Sequence, residues 1–166
     1  CGPEGSLVID DSSAFRMNKN VPLVVPEVNP EDIFLHQGII SIPNCTTTPL
    51  VMLIYAIEKL SKVKRLVVST YQSVSGAGRQ SIELLNQQIE ASLNGNDSSG
   101  DQLFAFNVIP QLDEFQDNSF TKEEMKLVWE TQKILNDYNL LVNDTAVRVP
   151  VKVGHADAVN LSLIPI

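Results

Sequence analysis

Residues 38–60 of the chain read GIISIPNCTTTPLVMLIYAIEKL, a short apolar run followed by an amphipathic one. The first run predicts a strand over 38–42, because isoleucine-rich segments beside turn residues favour extended backbone. The second run has apolar residues at helical spacing, namely Leu50, Leu53, Ile54, Ile57 and Leu60. This spacing predicts a helix over 46–60, with Cys45 at the junction of strand and helix.

The same two kinds of element alternate on either side of this segment. Further strands are predicted at 6–10, 22–25, 65–71, 140–142, 145–151 and 159–164. Further helices are predicted at 79–93 and 121–135, the second beginning with a capping box of Thr121 and Glu124. Alternation followed by consecutive strands indicates an α/β (α+β) domain, a mixed sheet with helices packed on one face.

Composition sets the first limits on function. The 166 residues carry a formal net charge of -8, which argues against nucleic acid because phosphate contacts need clustered Lys and Arg. No apolar run reaches the roughly 18 residues of a membrane helix. Two cysteines cannot form a disulfide framework, so a reduced, cytoplasmic protein is the simpler interpretation. The chain starts without Met and stops in an apolar run, so we expect it to be part of a longer polypeptide.

Cys45 is the first candidate for chemistry. It follows Asn44 at the start of a predicted helix, where unpaired N–H groups and the helix dipole lower the pKa of a thiol. The same N–H groups could stabilise the oxyanion of a tetrahedral intermediate. The alternative is a small buried residue at a strand–helix corner, since cysteines outside disulfides are commonly buried.

Arg148 and His155 flank a predicted strand end, with Gly154 immediately before the histidine. An arginine can grip a carboxylate through two hydrogen bonds, and a histidine titrates in the range that proton transfer requires. Each could instead be an ordinary surface or loop residue. His36 has no partner motif and is interpreted as a loop residue.

Three further polar groups carry weaker signals. Gln72 ends a predicted strand and precedes a small-residue loop, 73–78, that could approach a phosphate or a ring, although a turn that needs glycine explains it equally well. Glu123 and Lys126 share a helix face, which usually indicates a solvated ion pair. Arg16 lies beside small hydroxyl residues, an arrangement more typical of a turn.

Nine short motifs follow one another along nearly the whole chain. They are SSAFR (12–16), VPEVN (25–29), PNCTT (43–47), STYQSVSGAG (69–78), FNVIPQ (106–111), EEMK (123–126), ETQKI (130–134), RVPV (148–151) and GH (154–155). In this order they resemble the motifs of the aspartate-semialdehyde dehydrogenases. One departure is that Ala156 and Asp157 stand where the family usually has Ser-Glu, so a shorter side chain carries the carboxylate.

The resemblance implies a catalytic set of four residues. Cys45 would be the nucleophile that forms an acyl-thioester, and His155 the acid–base catalyst. Gln72 would orient the substrate, and Asn44, beside the nucleophile, completes the set.

The implied binding residues fall into two groups. The substrate group is Arg148 for the carboxylate, Glu123 near the amino group, and Arg16 and Lys126 as phosphate-binding cations. The cofactor group is Ser75 and Gly76, in a loop that contacts NADP in the family. No metal is implied.

The resemblance also implies a fold and a domain division. Residues 1–44 would end a dinucleotide-binding domain, and residues 45–166 would form a catalytic and dimerisation domain, incomplete at its carboxy end. The fold would be that of glyceraldehyde-3-phosphate dehydrogenase-like enzymes. Most of the dinucleotide-binding half would precede residue 1, so the isolated 166 residues are expected to dimerise without dehydrogenase activity.

The implied reaction is the NADPH-dependent reductive dephosphorylation of L-aspartyl-4-phosphate to L-aspartate-4-semialdehyde, with release of phosphate. It serves the biosynthesis of lysine, threonine, methionine and isoleucine, and the implied assembly is a homodimer or homotetramer. Other classes stay open at this point: a related acyl-phosphate reductase, or a dimerisation module without chemistry. A cysteine hydrolase is disfavoured, because it would use no dinucleotide.

Overall fold

The computed structural model describes residues 5–96 and 103–164 of the chain. Its residues form two compact units, each assembled from discontinuous segments. The first unit comprises Cys1–Val67, Met125–Asn143 and Val159–Ile166, and the second comprises Val68–Glu124 and Asp144–Ala158. The division into these two units does not test the domain boundary predicted between residues 44 and 45, which stays a prediction.

The described residues contain strands and helices in the predicted alternation. The strands are β1 Val8–Asp10, β2 Ile39–Ser41, β3 Val63–Gln72, β4 Leu141–Arg148 and β5 Ala156–Leu163. The α-helices are α1 Thr47–Glu58, α2 Arg79–Leu93 and α3 Lys122–Ile134, and short 3-10 helices cover Pro30–Leu35 and Val74–Ala77. The three predicted α-helices are therefore confirmed to within two residues at each boundary. No helix of the described ranges is long and apolar enough to cross a membrane.

Two sheets are present in the described part of the chain. One is the parallel pair β1–β2, in which Val8 lies opposite Ile39. The other has the strand order β4-β3-β5. The N–H of Val149 donates to the carbonyl of Gln72, so β3 and β4 end together and run parallel. The N–H of Ile164 donates to the carbonyl of Lys62, so the end of β5 meets the start of β3 and these strands are antiparallel. The mixed sheet is confirmed.

The predicted strand at 22–25 is wrong in extent. The segment forms a single isolated parallel bridge, Leu23 to Ser41, in which the Pro22 carbonyl accepts the Ser41 N–H and the Val24 N–H donates to the Ser41 carbonyl. Pro22 and Pro26 bound this segment, and proline has no N–H to donate to a ladder. The segment is nevertheless buried, with Leu23 1% and Val25 2% exposed, so its apolar character reflects packing.

The carboxy-terminal strands also differ from the prediction. The segments predicted at 140–142 and 145–151 form one strand, β4, that stops at Arg148 before Pro150. Strand β5 begins at Ala156 instead of residue 159. Its first residues are alanine and aspartate, which have low strand propensity, so the sequence did not indicate a strand there. Alternate residues of β5 are exposed and half-buried, which leaves one face of the strand open, as expected for helices packed on one face.

Each unit has its own apolar core. In the first unit, Val51 of α1 and Ile134 of α3 pack with Leu23 and Val25. Burying side chains of this size contributes roughly 1.5–3 kcal/mol each. This cluster anchors α1 by one face.

A separate core forms in the second unit. Val74, Leu85, Phe104 and Ala105 pack together, so the 3-10 helix that follows β3 is held against α2. Because Val74 is fully buried, the loop that carries it has a defined path past the end of the strand.

Candidate active site

Cys45 lies on the first unit, between β2 and α1, and is exposed. Asn44 organises this junction: its Oδ1 accepts hydrogen bonds from the N–H of Thr46 at 3.0 Å and from the hydroxyl of Thr46 at 2.9 Å. The thiol of Cys45 lies 3.4 Å from the same oxygen. The carbonyl of Asn44 accepts the N–H of Thr48 at 3.1 Å, the first helical bond of α1. The predicted position at a helix start is confirmed, and the alternative of a buried cysteine is wrong.

A buried ion pair lies next to this junction. Glu130 of α3 is 1% exposed, and its Oε2 accepts the backbone N–H of Asn44 at 2.7 Å. Its Oε1 accepts Nη1 of Arg16 at 3.1 Å. Burial raises the pKa of the Glu130 carboxyl above its usual range, while the Asn44 N–H and the Arg16 charge act in the opposite direction.

The Arg16 guanidinium forms hydrogen bonds within the protein. Its side chain is buried, and Nη2 donates to the carbonyl of Asp11 at 2.8 Å. The nearby ammonium of Lys133 also binds the backbone, donating to the carbonyls of Arg16, Asn18 and Val21. A phosphate-binding role for Arg16 stays a prediction, while its structural role is evident from the geometry.

His155 belongs to the second unit, where its Nδ1 accepts the backbone N–H of Ser73 at 3.0 Å. Because a backbone N–H can only donate, the neutral ring carries its hydrogen on Nε2. Burial and then the charge of Arg148 lower the pKa of His155, against the opposing charges of Asp157 and Glu123. The imidazole is therefore held neutral, with Nε2 as a hydrogen-bond donor.

Arg148, Gln72 and Glu123 form a connected polar row in the same unit. Nη1 of Arg148 donates to the carbonyl of Ser73 at 2.9 Å and reaches Oε1 of Gln72 at 3.5 Å. The other end of the Gln72 amide, Nε2, donates to Oε1 of Glu123 at 3.3 Å. Gln72 is 2% exposed, so its amide is fixed between a cation and an anion. Arg148 also lines a cavity of about 100 Å³.

The small-residue loop after β3 packs directly on this row. A Cβ added to Gly76 would lie 3.0 Å from Nη1 of Arg148 and 3.1 Å from Nε2 of His155. The hydroxyl of Ser75 is 2.8 Å from that of Ser73, and the Ser75 N–H donates to the carbonyl of Lys152. Gly76 therefore permits close packing on Arg148 and His155, and approach of this loop to a phosphate or a ring stays a prediction.

The second unit thus brings together six of the ten predicted residues: Gln72, Ser75, Gly76, Glu123, Arg148 and His155. The first unit holds the other four, which are Arg16, Asn44, Cys45 and Lys126. Lys126 lies one turn beyond Glu123 on α3 and is half-buried.

Two residues with clear structural roles escaped prediction. Ser73 is fully buried and contacts both His155 and Arg148, and its only sequence signal was its place directly after Gln72. Glu130 had a stronger signal, because it shares the core-facing spacing of Leu127 and Ile134. A carboxylate on the apolar stripe of a helix indicates a buried partner.

The chain belongs to the semialdehyde dehydrogenase family: the family model for the dimerisation domain matches residues 54–165, and that for the NAD binding domain matches residues 2–36.

Individual relatives within this family carry a more specific name. Aspartate-semialdehyde dehydrogenase 2 of Vibrio cholerae is 51% identical over 162 residues, which cover 95% of this chain and 48% of that protein. The Bacillus subtilis aspartate-semialdehyde dehydrogenase is 45% identical over 169 residues, covering 96% and 49%. The chain therefore spans about half the length of the relatives it matches.

Solved structures agree with these relatives. The Vibrio cholerae aspartate semialdehyde dehydrogenase II complexed with ASA superposes with a TM-score of 0.93 at 49% identity, over 96% of this chain and 49% of that one. The Candida albicans enzyme with NADP gives a TM-score of 0.67 at 27% identity, over 95% and 44%. The predicted fold class is confirmed.

Proposed function

We propose that the complete protein is an NADP-dependent aspartate-semialdehyde dehydrogenase, which reductively dephosphorylates L-aspartyl-4-phosphate to L-aspartate-4-semialdehyde. One observation carries the proposal: the row Arg148–Gln72–Glu123 beside His155. An arginine and a carboxylate joined by an amide match the carboxylate and ammonium of an amino acid. The relatives named for this enzyme support the same substrate.

Cys45 is the proposed nucleophile. Its Sγ forms a bond to the acyl carbon, and the carbon–oxygen bond to phosphate breaks, so that phosphate leaves with the electron pair. The resulting thioester divides one difficult displacement into two easier steps. The backbone N–H groups at the start of α1 favour negative charge on the thiol sulfur and on the acyl oxygen.

His155 is the proposed acid–base catalyst of the reaction. With its hydrogen on Nε2, the neutral ring can donate a hydrogen bond to the acyl oxygen, which keeps its negative charge until the carbon–sulfur bond breaks. Ser73 supports this role because its N–H occupies Nδ1 and selects the tautomer. After reduction, the carbon–sulfur bond breaks, the aldehyde departs and the Cys45 thiolate is restored.

The binding roles follow from charge. Arg148 would hold the substrate carboxylate, and Glu123 the substrate ammonium, with Gln72 orienting the acyl group between them. Lys126 and Arg16 are the proposed phosphate cations, of which Lys126 is half-buried and Arg16 more deeply buried.

The loop after β3 fits the cofactor. Gly76 and Ala77 are exposed and carry at most a methyl group, which leaves their backbone open to a flat ring. Ser75 and Gly76 would contact NADPH here, and NADPH when bound supplies the hydride that reduces the thioester. The NADP named for the Candida albicans structure and the match to the NAD binding domain support this cofactor.

We also propose the domain division and assembly of the family. Residues 1–44 would complete the dinucleotide-binding domain, and residues 45–166 the catalytic and dimerisation domain. The protein would form a homodimer, supported by the match to a dimerisation domain and by the open face of β5. Association into a homotetramer and a cytoplasmic location are further parts of the proposal.

The direct test is an assay of the complete gene product. It should reduce NADP when given aspartate semialdehyde and phosphate, and Cys45→Ser should abolish this turnover because a serine hydroxyl is barely ionised near neutral pH. Cys1→Ser, which removes the second cysteine of these 166 residues, is the matched control and should keep full activity. Activity confined to another acyl phosphate, or normal turnover in Cys45→Ser, would exclude the proposed function.

A further inference from the structure

Glu130 connects α3 to the residue that precedes the nucleophile. Its two carboxylate oxygens have different partners: Oε2 accepts the N–H of Asn44 at 2.7 Å, and Oε1 accepts Arg16 at 3.1 Å. Because a buried carboxylate is costly unless it is paired and hydrogen-bonded, this arrangement resists displacement of either partner.

The Asn44 backbone that Glu130 holds also begins α1. Its carbonyl accepts the N–H of Thr48, and its side-chain oxygen accepts Thr46 and lies within reach of the Cys45 thiol. One residue therefore donates its N–H to α3 and accepts the first helical hydrogen bond of α1 at its carbonyl. A shift of Glu130 would move the backbone from which the Cys45 side chain extends.

The charged groups around Glu130 are few. Arg16 pairs with it directly, and the ammonium of Lys133, which follows on α3, interacts with both Glu130 and Asp32. Asp11 lies on the far side of the Arg16 guanidinium, at 3.9 Å. Removing the Glu130 charge would leave Arg16 with Asp11 at 3.9 Å and Lys133 with Asp32 as acidic neighbours, so the positive charge beside Asn44 would be less fully balanced.

We propose that Glu130 is a positioning residue for the nucleophile, which fixes the Asn44–Cys45 backbone through the Asn44 N–H and balances the buried Arg16 charge. It acts through Asn44 and does not touch the reacting atoms. This inference rests on the proposed role of Cys45 and extends it to a residue outside the predicted set.

Two substitutions separate the two parts of this role. Glu130→Asp keeps the charge but withdraws the carboxylate from Asn44, so kcat should fall about tenfold or more, with a smaller change in KM. Glu130→Gln keeps the length but removes the charge. The pH midpoint of Cys45 alkylation by iodoacetamide should then move down by about half a unit or more, because the remaining cations favour the thiolate. Alkylation is read on the Cys45 peptide by mass spectrometry, which separates it from Cys1.

Glu58→Gln in the complete gene product is the matched control. Glu58 also accepts a backbone N–H, that of Val63 at 3.1 Å, and pairs with Lys62 at 3.1 Å, but it lies at the far end of α1. This variant should lower the melting temperature without moving the alkylation midpoint or kcat. If Glu130 only stabilised the fold, its variants would also lower the melting temperature without changing the alkylation midpoint or kcat.

The outcomes distinguish this inference from the proposed function. If Cys45→Ser is inactive while folded Glu130→Gln and Glu130→Asp keep the wild-type midpoint and kcat, the positioning role is overturned and the proposed function stands. If Cys45→Ser is active, the proposed function fails, and the alkylation midpoint of Glu130→Gln still decides whether Glu130 acts on the thiol. Should Glu130→Gln not fold, the milder Glu130→Asp decides through kcat and the alkylation rate.

Discussion

The backbone of Gly76 lies against the imidazole of His155, and a methyl group there would come within 3.1 Å of Nε2. Gly76→Ala should therefore displace the ring and the Arg148 guanidinium by a few tenths of an ångström. Because catalysis depends steeply on alignment, we expect kcat/KM to fall about 10- to 100-fold in steady-state assays.

Gly95→Ala is the control for this change. Gly95 has φ +74° and open space around its Cα, so alanine there carries only a backbone penalty of about 1 kcal/mol. It should lower the melting temperature and leave kcat/KM unchanged. Equal kinetics in the two alanine variants would contradict the idea that Gly76 is needed for the packing of His155.

The carboxylate-binding role of Arg148 can be tested by Arg148→Lys. Lysine keeps the charge but lacks the planar fork, so it cannot offer two parallel N–H groups to a substrate carboxylate. We expect kcat/KM for aspartate semialdehyde to fall by about one to two orders of magnitude. Arg79→Lys, at an exposed surface pair with Glu83, should have no effect. Unchanged kinetics in Arg148→Lys would make the residue structural and weaken the substrate assignment.

The lowered pKa of His155 predicts a definite stability change in acid. The folded protein resists protonation of the ring, whereas the unfolded chain takes up the proton at the ordinary pKa near 6.5. The free energy of unfolding should therefore decrease as the pH falls below about 6.5 toward the lowered pKa of the folded protein. His155→Gln should reduce this loss in thermal melts. A steeper acid loss in His155→Gln would show that the sign is wrong.

Asp144 should produce the opposite dependence. Burial, followed by the charge of Glu124, raises its pKa to about 8, and its Oδ1 is buried without a hydrogen-bond partner among the described residues. The folded protein then holds a proton that the unfolded chain releases above pH 3.8, so stability declines as the pH rises from about 4 to about 8.

Asp144→Asn tests this dependence directly. An uncharged amide cannot ionise, so the variant should gain melting temperature relative to the wild type at pH 9 and gain less at pH 5. A parallel shift of Asp144→Asn at all pH values would indicate that Asp144 is already ionised in the folded protein.

Local patterns in the sequence predicted the elements better than the contacts between them. The spacing of Leu50, Ile54 and Ile57 was sufficient for α1, because a helix depends on neighbours three and four residues away. The strand predicted at 22–25 was wrong in extent because the apolar residues of this segment are buried in the core. The prolines that bound it lack the N–H that a longer strand would need.

The polar contacts of the candidate site were harder to foresee. Arg148, Gln72 and Glu123 were singled out, but that the Gln72 amide joins the other two depends on where β3, β4 and the start of α3 meet. The pairing of Arg16 with Glu130 joins residues 114 positions apart, and no local pattern specifies such a pair.

The parallel pairing of β3 with β4 has a consequence for how such a protein can change. Gln72 and Arg148 are the last residues of these two strands, and the backbone bond from Val149 to Gln72 aligns them. Insertions or deletions in the connecting segments would therefore leave the two side chains together as long as the strands stay aligned. A slip of a single residue in β4 would instead turn Arg148 to the opposite face of the sheet. Loop length is thus open to variation during evolution, whereas the count of residues within the two strands is not.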